Sequence, residues 1–440
     1  MQLYAQRRAR ALTAFADGVA LIPAARTTLR NGDSTYPFRQ SSDFYYLTGF
    51  GEPDALLVLC PQHGEHRSAL FLRERDRTEE IWNGKRLGVE AACEALGVDA
   101  AFPIGELSQR LPEYLVGAAA LHYAFGNDPA MDRAVGEALE AARAKVRRKG
   151  RAPQTFVEPS LVLEAMRSIK SPEEIATLRR AAAITCAGHV AAMRETYPGA
   201  YEYEIASVLE GHYRRAGAQS VAYESIVASG DNATVLHYVA NRDRLEPGTL
   251  LLVDSACELD NYATDVTRTW PVDGRFTAEQ RALYEVVLAA QEAAIAQVRP
   301  GVRRDAFHAA AVRTIVEGLI ANGLLHGSTD ENVERETYKD YYMHGTGHWL
   351  GLDVHDAGTY RDAADEPIVL EPGMVTTVEP GIYVRPDVAC DERFKGIGIR
   401  IEDDILVTAA GNENLTAAAP KSVTELETTV GSGGRVPAPA

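Results

Sequence analysis

Two carboxylates in the segment 251–270 are placed to share a cation. Two apolar runs there flank a polar turn, which is the pattern of a hairpin. With Leu259 and Asp260 as the turn centre, Asp254 and Asp265 stand opposite one another, their Cβ atoms about 5 Å apart. Like charges opposed across a sheet repel, so this arrangement calls for a cation between them. A bulge or a longer turn would separate them and leave one merely ending a strand. These two residues alone do not choose between the readings.

A second group lies in the segment 343–356, where His344, His348 and His355 fall within twelve residues of a chain that has eleven histidines. His344 and His348 have the spacing of a zincin helix. Two glycines lie between them, however, and no glutamate follows His344, which argues against that chemistry. A glycine-bounded loop presenting His348 to a metal fits better, with His344 and His355 beside it or facing substrate. The third group closes two apolar runs. Glu379 follows 374–378, and Glu402 follows Ile397, Ile399 and Ile401, where an acid has no packing reason to be. Buried carboxylates must be protonated, paired or metal-bound. A surface pair of Arg400 with Glu402 or Asp403 would explain one acid but not all of them.

Counting charge favours metal. Four carboxylates and one neutral imidazole are neutralised by two divalent cations, whereas one would leave two acids uncompensated. Such an oxygen-rich set with one nitrogen suits Mn or Co, then Zn or Fe. The main catalytic use of a binuclear site is a hydroxide between the metals that attacks a carbonyl carbon or a phosphorus. The chain has neither a Walker loop nor a G-x-S-x-G elbow.

The elements that must position these residues can be read from caps and periodicity. Ser171, Pro172 and Glu174 open a helix with a capping box, and Ile175, Leu178, Ala182 and Cys186 follow at helical spacing. A second helix spans about 203–215, and strands cover 227–229 and 250–254. The order then recurs: a helix capped by Thr277 and Gln280, another over 305–321, and strands over 374–378 and 397–401. Two helices and then strands, twice, predict an α+β domain with an internal pseudo-two-fold duplication over 161–430. Ahead of it, strands at 55–60 and 69–72 and helices at 90–96 and 131–145 predict an α/β domain over 1–160. The basic stretch 142–153 marks its end. Residues 431–440, rich in Gly and Pro, read as a disordered tail.

At 440 residues the chain is too long for one core, and its 46% hydrophobic and 24% charged residues fit a globular enzyme. Forty-five Lys and Arg against sixty-two Asp and Glu leave a net charge of −17. That charge disfavours nucleic acid and anionic membranes as partners. No apolar run approaches a membrane span, and no apolar stretch follows the basic start as a secretory signal would require. Five scattered cysteines (Cys60, Cys93, Cys186, Cys257, Cys390) fit reduced thiols in a cytoplasm.

The ordered set Asp254, Asp265, His348, Glu379, Glu402 resembles the ligand set of the pita-bread metallopeptidases. The segments around these residues, with 36–50 and 81–88 in the first domain, are similar to the aminopeptidase P branch of that family. The resemblance covers nearly the whole chain. It implies a pita-bread catalytic domain and two divalent metal ions, Mn²⁺ first, with Co²⁺ or Zn²⁺ as alternatives. It implies release of the first residue from peptides with proline second, by attack of the metal-bound hydroxide on the X-Pro carbonyl, and a homo-oligomer, dimer or tetramer. By the same analogy Asp265 and Glu402 bridge the metals, Asp254 completes one, and His348 with Glu379 completes the other. Glu379 also handles the proton of the attacking water. His237 lines the proline pocket, His344 and His355 face substrate, and Arg400 braces the acids with Tyr383 and Asp33. Trp82 walls the cleft beyond proline; the plainer reading makes it the anchor of a hairpin. The polar loop 360–367 departs from the pattern in length only. Prolidase, which shares the ligands but cleaves only dipeptides, is the nearest alternative, followed by a catalytically inactive pita-bread binding protein. Methionine aminopeptidase lacks so large a first domain, and creatinase lacks the ligands.

Overall fold

The computed structural model describes residues 2–16, 18–146 and 150–433. The middle of the basic stretch, 147–149, and most of the expected tail, 434–440, lie outside the described residues. The chain divides into two compact units, Met1–Met166 and Arg167–Ala440. The first extends past the expected residue 160, and the Tyr46 hydroxyl donates to the Met166 carbonyl at 2.9 Å.

The strands of the first unit are β1 (Val19–Pro23), β2 (Leu29–Asn31), β3 (Ser34–Thr35), β4 (Leu56–Leu59), β5 (Ser68–Leu72), β6 (Ala100–Pro103), β7 (Ala120–His122) and β8 (Thr155–Val157). Six of them form one mixed sheet in the order β6-β5-β4-β1-β7-β8. The apolar runs expected as strands are β4 and β5, each buried along its whole length, as a sheet covered on both faces requires. The expected second helix begins earlier than apolar spacing shows, as Pro129–Lys145. Asp128 caps it by accepting from the N–H of Ala130 and Met131, and Pro129 fits its first turn. Asp33 sits in the exposed turn between β2 and β3. The context of Trp82 reads as a turn, yet it forms a helix, Arg77–Asn83, because Asp76 accepts from the N–H of Thr78 and Glu79. That helix buries none of its residues and Trp82 is 81% exposed, so a hairpin-anchoring role is excluded.

The second unit repeats helices and strands as expected. Helices Pro172–Glu195 and Glu202–Arg215 precede β9 (Ser220–Val221), β10 (Ile226–Ser229), β11 (Leu250–Asp254), β12 (Cys257–Leu259), β13 (Tyr262–Ala263) and β14 (Thr267–Pro271). Helices Ala278–Ile295 and Asp305–Ala321 precede β15 (Val375–Val378), β16 (Gly381–Val384), β17 (Ile397–Arg400), β18 (Asp403–Thr408) and β19 (Gly411–Asn414). The capping boxes at Ser171 and Thr277 are both formed. The two halves are joined at β14 and β17. The Thr269 hydroxyl donates to the Arg400 carbonyl at 3.0 Å, and the Glu402 N–H donates to the Thr267 carbonyl at 3.0 Å. This seam brings the aspartate-bearing strands of one half against the glutamate-bearing strands of the other.

The hairpin register differs from the expectation. Asp254 faces Thr267, not Asp265, because the turn centres on Asp260 and Asn261. Both have positive φ, 52° and 64°, the conformation a two-residue type I′ turn demands and Asx residues tolerate. The partner of Asp254 thus moves by two residues. Asp265 lies just ahead of β14 and outside any strand, yet it stays beside Asp254, the Tyr223 hydroxyl lying within hydrogen-bonding distance of both. The tail also differs: Gly431 and Gly433 donate their N–H groups to the carbonyls of Met193 and Arg194, each at 3.0 Å. Those carbonyls lie in the last turn of the helix Pro172–Glu195, and that of Met193 also accepts the N–H of the C-cap residue Thr196.

Candidate metal centre

Asp254 ends β11, and Asp265 lies in the crossing between β13 and β14. His348 comes from the glycine-bounded loop, Glu379 follows β15, and Glu402 lies between β17 and β18. One ligand atom each of Asp265, His348 and Glu402 lie within 4.8 Å of one another. His348 Nε2 is 3.3 Å from Asp265 Oδ2 and 3.6 Å from Glu379 Oε1. Asp254 joins them through Tyr223, whose hydroxyl reaches Asp254 Oδ1 at 2.6 Å and Asp265 Oδ1 at 2.5 Å. All five line one cavity of about 570 Å³.

Arg400 is the only Arg or Lys among the described residues that line this cavity. Its guanidinium donates to Asp254 Oδ2 at 2.6 Å, the Tyr383 hydroxyl at 3.0 Å and Thr267 Oγ1 at 3.1 Å. Thr267 in turn donates to Glu402 Oε2 at 2.7 Å. One fixed cation is too little for these acids. Burial, then the charge of Asp265 against the pull of Arg400, raises the Asp254 carboxyl. Burial raises Glu379 to about 7, although His348 and Arg400 oppose it. Burial and the neighbouring acids push Glu402 well above the carboxylate range. Burial alone would lower His348, yet its hydrogen bond to Asp265 and the charges of Asp265 and Glu379 bring it up to about 9. Burial and mutual repulsion thus favour the protonated forms of Asp254, Glu379 and Glu402, as they do where one guanidinium faces several acids.

The imidazole is also oriented for coordination. His348 Nδ1 lies 3.1 Å from the Trp349 carbonyl, so a proton held there leaves Nε2 free towards the acids. The donor set, four carboxylate side chains and one imidazole nitrogen, fits divalent cations.

The remaining expected residues fall into two groups. His344 Nε2 is 2.8 Å from the Tyr383 hydroxyl and its Nδ1 is 3.7 Å from Glu379 Oε2. Burial lowers its pKa to about 3, so it is neutral. His355 packs edge-on against His348, ring centroids 4.3 Å apart, and His237 lines the same cavity. Trp82 and Asp33 belong to the first unit.

Sequence reasoning missed Tyr223, Asp403 and Asp404. Burial and the charges of Asp254 and Asp265 keep the Tyr223 hydroxyl protonated, so its one O–H lies between the two aspartates. No local signal marks it, because its partners lie 31 and 42 residues away. Asp403 is fully buried beneath Glu402 and accepts from Arg268 at 2.6 Å and Lys421 at 2.7 Å. Burial would raise it, but those two cations hold it near 2. Asp404 Oδ2 accepts the Asp265 N–H at 3.2 Å. The run of three acids at 402–404 was the available signal.

Comparison with known proteins identifies the family. Residues 176–409 match the model of metallopeptidase family M24, and residues 4–122 match the aminopeptidase P N-terminal domain. The chain is 46% identical over 409 residues to the Xaa-Pro aminopeptidase of Escherichia coli (strain K12), covering 93% of this chain and 92% of that protein. It superposes on the Pseudomonas aeruginosa aminopeptidase PepP with a TM-score of 0.94 at 44% identity, covering 97% of each chain. On zinc-substituted E. coli aminopeptidase P in complex with product, the TM-score is 0.95 at 44% identity, covering 99% of each. The chain therefore belongs to metallopeptidase family M24 and carries the amino-terminal domain of aminopeptidase P.

Proposed function

We propose that this chain releases the first residue from peptides whose second residue is proline, using two divalent cations. The observation that carries the reading is the convergence of Asp254, Asp265, His348, Glu379 and Glu402 in one cavity with Arg400 as its one fixed cation. Similarity to proteins named Xaa-Pro aminopeptidase supports it. Asp265 and Glu402 would contact both ions, Asp254 one, and His348 with Glu379 the other; Mn²⁺ is the first choice, with Co²⁺ or Zn²⁺ as alternatives. Ions bound there supply a nucleophilic water at neutral pH and polarise the scissile carbonyl.

The protein's own groups do the rest. Glu379 takes the proton of the attacking water on its carboxylate. The proline nitrogen must gain a proton to leave, and His237, His355 and Glu379 stand around the cavity to provide it. An X-Pro bond has no N–H, so recognition rests on its carbonyl and on the walls about the ring. Tyr383 and Arg400 hold the acids in place from behind. Trp82 would serve a neighbouring copy, contacting substrate residues beyond proline, and its 81% exposure is consistent with that. Two or four copies form the oligomer, and the five unpaired cysteines accord with a reducing cytoplasm. Among the described residues no helix is long and apolar enough to cross a membrane.

The test is a pair of substrates. Mn²⁺-loaded protein should release X from an X-Pro-Y tripeptide at least as well as from an X-Pro dipeptide. Cleavage of the dipeptide alone would return the prolidase reading, and cleavage of neither would leave a binding protein.

A further inference from the structure

His237 and His355 each ride on a loop, and each loop is tied to one buried carboxylate that contributes nothing to the metal centre. Glu202, fully buried in the first turn of its helix, gathers the segment 229–243. Its Oε1 accepts from the Ser229 N–H and hydroxyl, both at 2.8 Å, and from Asn232 Nδ2 at 3.1 Å. Its Oε2 accepts from the Tyr238 hydroxyl at 2.8 Å and the Asp243 N–H at 2.9 Å. These anchors lie on both sides of His237, and Tyr238 is its immediate neighbour. Five donors on one carboxylate hold the path of a segment whose regular structure is a short 3₁₀ turn and whose other side-chain anchor is Asn241, bonded to Val227 N–H at 2.8 Å and the Ser225 carbonyl at 2.7 Å.

Asp356 does the same for the loop that carries His355. Its Oδ1 accepts from Arg167 at 2.5 Å and its Oδ2 from Lys170 at 3.0 Å, in a pocket where the Lys170 and Asp356 side chains are each 1% exposed. Burial would raise this carboxyl, but Lys170 and Arg167 hold it below the usual range. Its own N–H donates at 2.9 Å to the Trp349 carbonyl, the atom that His348 Nδ1 faces. A charged hub of this kind is costly to bury and fails when one partner is removed. Its location beside the two histidines gives it a purpose.

We propose that Glu202 and Asp356 are positioning residues, Glu202 for His237 and Asp356 for His355, and that the enzyme's turnover depends on them through those histidines. This rests on the reading that both histidines act on substrate. Loop residues have many conformations to lose, and misplacing a reacting group by about 1 Å can cost about a hundredfold in rate.

Double-mutant cycles test it. Glu202→Gln should lower kcat/KM about 10–100-fold, the usual effect of removing an outer support, with bound metal unchanged. In a His237→Ala background the same substitution should change kcat/KM less than about threefold. Asp356→Asn should behave likewise in a His355→Ala background. If Glu202→Gln or Asp356→Asn does not fold, Tyr238→Phe and Lys170→Met take their places in the cycles. Equal losses in both backgrounds, or no loss in either, would overturn the positioning roles. If His237→Ala and His355→Ala alone leave kcat/KM unchanged, it is the assignment of the histidines that fails instead.

Discussion

Asp265→Asn should give a folded chain that has lost both its metal and its turnover. Asp265 lies within contact reach of His348 and Glu402 and accepts the Tyr223 hydroxyl, so it stands at the middle of the ligand set. Asparagine keeps its size, and the backbone N–H that bonds Asp404 is unaffected. The amide, however, removes one negative charge and half of the acceptor capacity. Because its proposed role is that of a ligand and not a support, kcat/KM should fall by more than the roughly 10–100-fold that outer-shell changes cost. Metal content should fall with it. Full metal occupancy with normal turnover would show that Asp265 is no ligand.

The second large effect is a pH dependence that appears only when the metal is stripped. In the apo chain the folded state raises His348 from 6.5 to about 9. A raised histidine contributes stability that is complete below pH 6.5 and is lost as pH climbs through 9. Glu379, raised from 4.5 to about 7, acts in the same direction: the native state holds its proton longer than the unfolded chain, so stability declines as pH rises from 4.5 to 7. Below pH 6.5 the buried imidazoles His189, lowered to about 4, and His344, lowered to about 3, pull the other way. The clean window is therefore pH 6.5 to 9. Over it, Tm of the chelator-treated protein should fall by roughly 3–5 °C, as a loss on the order of 3 kcal/mol implies for a chain of this size. With Mn²⁺ restored, the cations replace the protons and the slope should vanish. A scan of Tm against pH, with and without metal, checks both halves; identical slopes would mean that the acids are not neutralised by metal.

The five residues proposed as ligands were legible in the sequence because they break its patterns. Glu379 and Glu402 interrupt apolar runs, and His348 sits between glycines in a histidine cluster. The helices of the second unit were legible because capping boxes are local and cheap to recognise, as at Ser171 and Thr277. The hairpin register was missed because an Asp-Asn pair in left-handed conformation moved the turn centre by one residue. Asp265 still lies near Asp254, within reach of the same Tyr223 hydroxyl. Trp82 was placed in a turn because a seven-residue helix with nothing buried has no apolar stripe to announce it. Tyr223, Glu202 and Asp356 were invisible for a different reason. Their bonds join residues tens to nearly two hundred positions apart, and a polar residue in an ordinary segment does not show what the fold will set beside it.

The most direct test of the metal-centred account is titration of the metal-free chain with Mn²⁺ while release of X from an X-Pro-Y tripeptide is followed. Turnover should be absent without metal and should reach its plateau at two ions per chain. Turnover that persists in chelator, or a chain that binds two ions and still releases nothing with Mn²⁺, Co²⁺ or Zn²⁺, would contradict it.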